Sequence, residues 1–275
     1  MPAETSSPLA TFAPSVPISF PLRVFAALRA LIWVTLIMDN PLKWWCQQGR
    51  RNDRADMEGP LYVPGAPARM LEPGKAVLAT VDELKEYTPF LLQVTVRSPH
   101  GDPLPHATID LWHATSAGAY AYRSYALRGQ LTTGADGSVE VLTVAPGDYG
   151  GGLGVRAGHF HMKLHDGARR YERLTTQLYV CRANDFAAGS RKDTLNYLRK
   201  TRPQNMLRAW SLPESNGGES YIELPELPSD DIESLKRVGW WNARLAEQAP
   251  GAGIKVVAGG RTEFKLNEKP GWLGF

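Results

Sequence analysis

Three of the six histidines fall within one seven-residue run, His159-Phe160-His161-Met162-Lys163-Leu164-His165. The alternation is strict, so in a strand His159, His161, Lys163 and His165 share one face, with Phe160, Met162 and Leu164 on the other. In a helix, residues two apart point about 200° from each other, and His159 and His161 would not share a ligand. In a strand they point the same way, roughly 6.5–7 Å apart along the chain, and both can reach one metal ion. Upstream, Tyr120 follows Gly118-Ala119 and Tyr149 follows Pro146-Gly147-Asp148, each phenol beside a glycine turn, and Arg156 precedes His159 by three. Two phenols and two imidazoles suit a hard, highly charged metal: two phenolates and a hydroxide neutralise Fe³⁺, and neutral imidazoles complete the site. Zinc prefers Cys, His and carboxylate, so a tyrosine pair argues against it. An HxH pair alone also describes polar surface residues or a satisfied buried pair, and strand-end tyrosines are ordinarily just amphipathic.

A scaffold must bring these residues together. Phe90–Arg97, Ala107–Ala114, Ser138–Val144 and Leu174–Val180 are β-like runs rich in branched residues, punctuated by Ser98-Pro99-His100-Gly101-Asp102-Pro103, Ala135-Asp136-Gly137 and Pro146-Gly147. Strands at this spacing without intervening helical periods predict a mainly β fold, an antiparallel β-sandwich core with a short N-terminal helical segment and peripheral loops and helices. Near the C-terminus, Asp230 and Glu233 suggest a capping box for a helix to about Glu247. Ile254–Ala258 and Thr262–Leu266, flanking Gly259-Gly260-Arg261, suggest a hairpin. Gly and Pro number 26 and 21 in 275 residues, which favours turns over a helical bundle.

A net charge of +3, with no basic run interleaved with aromatics, gives no reason to expect a nucleic-acid partner. Two cysteines, Cys46 and Cys181, exclude a disulfide framework and favour a reducing, cytoplasmic setting. Residues 1–57 divide into a Pro-rich tail over 1–19, an apolar helix over 22–38 and a polar linker from Gln47; residues 58–275, with the β-like runs, are expected to form a single β domain. The longest uncharged run of that helix, Ala30–Met38, is far short of the ~20 residues a spanning helix needs. It is expected to be buried or to join two copies as a homodimer, with weak peripheral membrane association as a further reading, given Trp33, Trp44 and Trp45 near basic residues.

Five stretches in order, Glu58–Pro67 (EGPLYVPGAP), Asp110–Tyr120 (DLWHATSAGAY), Ala145–Tyr149 (APGDY), Arg156–His161 (RAGHFH) and Thr175–Tyr179 (TTQLY), resemble the intradiol ring-cleavage dioxygenases, the non-haem iron(III) family of catechol and protocatechuate dioxygenases. The resemblance covers about residues 58–181 and is closer to catechol-type members. It implies that Fe(3+) is held by Tyr120, Tyr149, His159 and His161. It also implies that Arg156 and Gln177 flank the substrate ring, and that Leu61, Tyr62, Pro64 and Leu104 line the pocket. The reaction it implies is cleavage of a catechol-type ring by O₂ to a cis,cis-muconate-type diacid, with Tyr149 the ligand that leaves and takes a substrate proton.

The sequence departs from that family in several places. Arg156-Ala157-Gly158-His159 stands where the family has Arg-Pro-Ala-His, and the tract from Tyr149 to His159 is short and rich in glycine. Tyr122 competes with Tyr120 as ligand, Tyr120 matching the Gly-x-Tyr step directly. The N-terminal part is shorter than the helical linker domain of catechol-type members, and residues after about 190 carry no recognisable motif. His113, His165, Asp110, Asp136 and Cys181 are expected to be structural. Two other functions remain open on the residues alone: a non-catalytic β-sandwich binding module, and a metal-dependent hydrolase built on the HxH pair.

Overall fold

The computed structural model describes residues 12–37, 52–150, 155–182, 190–213 and 224–269. Its strands are β1 (Met70–Glu72), β2 (Lys75–Val77), β3 (Pro89–Arg97), β4 (Thr108–His113), β5 (Arg128–Thr132), β6 (Ser138–Val144), β7 (His159–His165), β8 (Leu174–Cys181), β9 (Met206–Ser211) and β10 (Ala258–Lys265). The α-helices are α1 (Phe20–Ile32), α2 (Val81–Glu86), α3 (Arg191–Leu198) and α4 (Ile232–Gln248). The ten strands form one sheet in the order β1-β2-β6-β3-β10-β9-β8-β7-β4-β5. The outer strand β5 meets the segment leading into β1, where Arg69 N donates to Gln130 O and Gln130 N to Pro67 O, so the sheet nearly closes on itself. Closure removes the exposed edges that an open sheet must protect.

The mainly β fold expected from strand spacing is present, but its strands are not all antiparallel. β2–β6, β3–β10 and β8–β9 run parallel, and β9 joins the two halves into a continuous sheet. Local spacing carries no information about such distant pairings. The expected C-terminal hairpin is a single strand, β10, running from Ala258 opposite Phe90 to Lys265 opposite Arg97. Gly259 and Gly260 mark close packing rather than a turn: a Cβ on Gly259 would lie 2.3 Å from the Trp210 ring, and one on Gly260 2.9 Å from the Leu207 side chain. Asp231, one residue beyond the expected cap, starts α4 by accepting from Ser234 N at 3.1 Å.

The core lies between the two halves of the sheet. Phe90, Leu92 and Val94 of β3 and Val139 and Val141 of β6 meet Phe160, Met162 and Leu164 of β7 and Leu178 and Val180 of β8, all fully buried. Alternation therefore commits the other face of β7, with His159 and His161, to a separate site. Part of the Pro-rich N-terminal stretch is ordered: Ile18 N donates to Arg123 O and Tyr125 N to Val16 O, while Phe12 and Ala13 are buried against α4 and its neighbours. Helix α1 buries none of its residues, and Phe20, Phe25, Leu28 and Leu31 are exposed. No helix among the described residues is long and apolar enough to cross a membrane. Trp44, Trp45, Cys46, Gly151, Gly152 and Gly154 lie outside the described residues.

Candidate active site

Strand β7 holds its two histidines rigidly, because it is paired on both sides. His161 stands opposite Trp112 of β4 and Gln177 of β8, and His159 opposite Tyr179. The Trp112 ring stacks flat on His161 at 4.9 Å and 7°, and the two imidazoles are 4.7 Å apart, centroid to centroid. His159 Nδ1 is bonded to Ala157 O at 2.8 Å, which turns Nε2 toward the Tyr149 hydroxyl 3.1 Å away. With Nδ1 donating, Nε2 is the unprotonated nitrogen: it accepts from the Tyr149 hydroxyl here and is the atom that could bind a metal. Neither His161 nitrogen has a hydrogen-bond partner, although the residue is buried.

The phenols come from loops. Tyr120 follows β4 and Tyr149 follows β6, and their rings meet edge to face at 5.4 Å. Tyr120 is buried and its hydroxyl also lacks a partner. Its rival Tyr122 is 61% exposed. Four donors thus converge, and three of their polar atoms are buried and unpartnered, a costly arrangement unless something binds there. The electrostatics agree. Burial pushes His159 down to about 3, with Arg156 adding to the effect, and holds His161 well below the ordinary range. Both imidazoles are therefore neutral donors. Burial, reinforced by Tyr149, raises the Tyr120 phenol well above its usual range. A cation at the centre is what would ionise it.

Around the donors, Gln177 is fixed by two bonds: its Nε2 donates to Met57 O at 2.7 Å, and its Oε1 accepts from Tyr179 Oη at 2.7 Å. Arg156 Nη1 lies 3.5 Å from the same Oε1. Burial alone would lower the Arg156 pKa, but the Tyr179 and Tyr149 phenols and Asp56 outweigh it and raise it. The guanidinium is permanently charged beside the donors.

The 58–67 stretch is pinned by its carbonyls. Arg128 donates to Leu61 O at 2.7 Å, Arg29 to Tyr62 O at 3.0 Å and Tyr125 Oη to Pro64 O at 2.7 Å. Glu58 pairs with both Arg29 of α1 and Lys163 of β7. Leu61 and Tyr62 pack against Trp112 and Tyr120. Tyr62 is more constrained than a simple pocket wall, since its hydroxyl donates to Asp110 Oδ2 at 2.7 Å and Lys163 Nζ sits 3.3 Å from its ring centroid. Leu104 lies in the core between the sheet halves. A cavity of about 500 Å³ opens between α1 and residues 60–63, lined by Leu61 and Tyr62 but by none of the four donors.

His113 is satisfied at both nitrogens, by Ala114 O and Thr143 Oγ1, each at 2.7 Å. Tyr179, Asp110 as a hydrogen-bond acceptor, and the Trp112 stack were missed by sequence reasoning. Register relative to HxH was the only signal for them, and register depends on knowing which strands pair. Among the described residues no three His, Cys, Asp or Glu side chains form a metal group; the donors gathered here are two imidazoles and two phenols.

A family model described as Dioxygenase (Dioxygenase_C) matches residues 57–195, a span that contains all four donors. The chain belongs to the intradiol ring-cleavage dioxygenase family. It is 30% identical over 164 residues to catechol 1,2-dioxygenase 1 of Acinetobacter lwoffii, covering 50% of this chain and 51% of that protein. It is 33% identical over 147 residues to chlorocatechol 1,2-dioxygenase of Cupriavidus pinatubonensis, covering 45% and 52%. The chain thus spans about half the length of the curated relatives it matches. In fold it is similar to 3-chlorocatechol 1,2-dioxygenase of Rhodococcus opacus 1CP, with a TM-score of 0.56 and 18% identity over 84% of this chain and 79% of that one. The dioxygenase domain of a carbohydrate-binding fusion protein from Streptomyces sp. SirexAA-E aligns over 78% of this chain and 97% of its own, at 25% identity and a TM-score of 0.50.

Proposed function

We propose that this dioxygenase cleaves a catechol-type ring between its two hydroxyl-bearing carbons, using O₂ and a non-haem Fe³⁺, to give a cis,cis-muconate-type diacid. The observation that carries the reading is the convergence of Tyr120, Tyr149, His159 and His161, with the Tyr120 hydroxyl and both His161 nitrogens buried and unpartnered. These four side chains would hold the iron. When bound, ferric iron supplies Lewis acidity that draws electron density from a chelated catecholate and makes its ring carbon reactive toward O₂.

The protein's own groups divide the remaining work. A catechol sheds two protons to bind as a dianion: one would go to the hydroxide that accompanies the ferric ion, and Tyr149 would take the other at its Oη. It is only partly buried and sits on a loop, whereas Tyr120 is sealed in the core of the site. Arg156, held charged by the phenols around it, stabilises negative charge that develops on the ring oxygens. Gln177, tied to Met57 and Tyr179, keeps that guanidinium and the 58–67 stretch in register across the substrate. The exposed apolar residues of α1 support a second copy as its cover, making the working form a homodimer.

Reconstitution with ferric iron tests the reading. Tyrosinate bound to Fe³⁺ absorbs visible light, so the loaded protein should be coloured and should consume O₂ with one or more members of a catechol panel, with ring-opened diacids identified by mass. A protein that stays colourless and inactive after iron loading, or that hydrolyses substrates with zinc, would overturn it.

A further inference from the structure

One buried charge near the site has no part in the chemistry just described. Lys192, in the first turn of α3, is fully buried, and its ammonium donates to Asp148 Oδ1 at 3.0 Å. Arg191 Nε donates to the other oxygen at 3.2 Å. Oδ1 also accepts the Gly158 amide at 2.9 Å. Asp148 immediately precedes Tyr149, and Gly158 immediately precedes His159. One carboxylate therefore joins the two ends of the stretch that carries a phenol and an imidazole to the site.

The surroundings make this a clasp rather than an incidental contact. Tyr149 and Arg156 exchange backbone hydrogen bonds at 3.1 and 2.9 Å, closing the stretch on its inner side. At Gly158 the chain passes in backbone contact with Pro146, whose carbonyl oxygen would lie 1.9 Å from any Cβ there. That contact explains glycine where the family has alanine. Helix α3 is itself fastened to the sheet: Asp193 accepts from Arg182 N at 2.8 Å and Asn196 Nδ2 donates to Val180 O at 3.2 Å, at the end of the strand that pairs with β7. The ammonium is thus a fixed point, and the carboxylate hangs the loop from it. Buried ion pairs add little net stability but punish loss of one partner severely, so their presence points to what they position.

We propose that the Lys192–Asp148 pair is a positioning device, which sets Tyr149 Oη against His159 Nε2 and so fixes the geometry in which the departing phenol meets the metal and the substrate. The proposal rests on the iron-site reading of the four donors, and it assigns a role to α3, which the sequence motifs leave without one.

The test compares Lys192→Met with Leu245→Ala, a core truncation in α4 remote from the site, in the full-length protein. With iron loaded, Lys192→Met should retain metal but shift the visible tyrosinate band and lower kcat by about 10²-fold, as expected for a small misplacement of reacting groups. Leu245→Ala should lose thermal stability while keeping the band position and kcat. In the metal-free chain, amide exchange over residues 146–161 should accelerate by about tenfold or more in Lys192→Met and not in Leu245→Ala. The double variant K192M/D148A removes the clasp without stranding a buried charge, since Arg191 is largely exposed, and should shift the band and the exchange in the same direction even if Lys192→Met does not fold. Unchanged band position and kcat in the foldable variant, or unchanged exchange over 146–161, overturns the clasp. If the wild-type protein takes up iron without colour or activity, the proposed function fails, and the metal-free exchange experiment then decides the clasp alone.

Discussion

The two histidines and the two tyrosines are held in opposite ways. His159 and His161 sit on a strand paired on both sides, backed by Phe160 and Met162 in the core. Tyr120 and Tyr149 sit on loops, and Tyr149 keeps partial access to solvent. The strand supplies two neutral nitrogens, and the loops supply two phenol oxygens, of which only that of Tyr149 is partly open to solvent. The proposed function, holding a metal and exchanging one ligand for substrate, would need one rigid half and one yielding half, and the division between strand and loops is of that kind.

The sharpest break of this comparison is His161→Ala, which removes a donor from the rigid half. Metal content by mass spectrometry should fall and turnover should be lost; an active, fully loaded variant would remove His161 from the ligand set. Tyr149→Phe acts on the yielding half and should lower kcat by on the order of 10²–10⁴ if its Oη takes a substrate proton. A rate close to wild type would take that role from it. Arg156→Ala, which leaves all four donors in place, should lower kcat by about 10²–10³ with a smaller change in KM, measured by O₂ uptake.

Stability sharpens the same contrast. Phe160→Ala, on the core face of β7, should cost the metal-free protein about 3–5 kcal/mol, measured by denaturant unfolding. His161→Ala should cost far less without metal, because neither imidazole nitrogen gains a bond from folding. A further contrast concerns pH. Burial lowers His113 to about 4 from an ordinary 6.5, so the unfolded chain binds a proton that the folded one refuses. That term leaves stability level above pH 6.5 and removes ~3 kcal/mol as pH falls toward 4. A flat stability profile across that window in the metal-free protein would contradict it.

Much of this was legible in the sequence. The HFHMKLH alternation specified the strand, its two faces and the shared direction of His159 and His161, because side-chain direction in a strand depends only on parity. The helix expected from a cap at Asp230 to about Glu247, observed over Ile232–Gln248, and the strands β3, β6 and β7 followed from local pattern. The misses were non-local. Gly259 and Gly260 resembled a turn, since the Trp210 and Leu207 side chains that fill their place come from a strand that pairs only in the fold. Of the readings of the apolar helix, burial within the single chain is the one that fails, since α1 buries none of its residues. Lys192 and Asp148 are 44 positions apart, and nothing in either neighbourhood announces the other. Leu104 shows the limit of carrying a role across by resemblance, for its side chain packs between the sheet halves.

The flat stack of Trp112 on His161 has an optical consequence. An indole 4.9 Å from a donor imidazole lies well inside the range over which a coloured, paramagnetic ion drains an excited state. If the proposed iron site forms, part of this protein's intrinsic fluorescence should dim on iron loading and return on chelation, giving a label-free test of that site that needs neither substrate nor turnover.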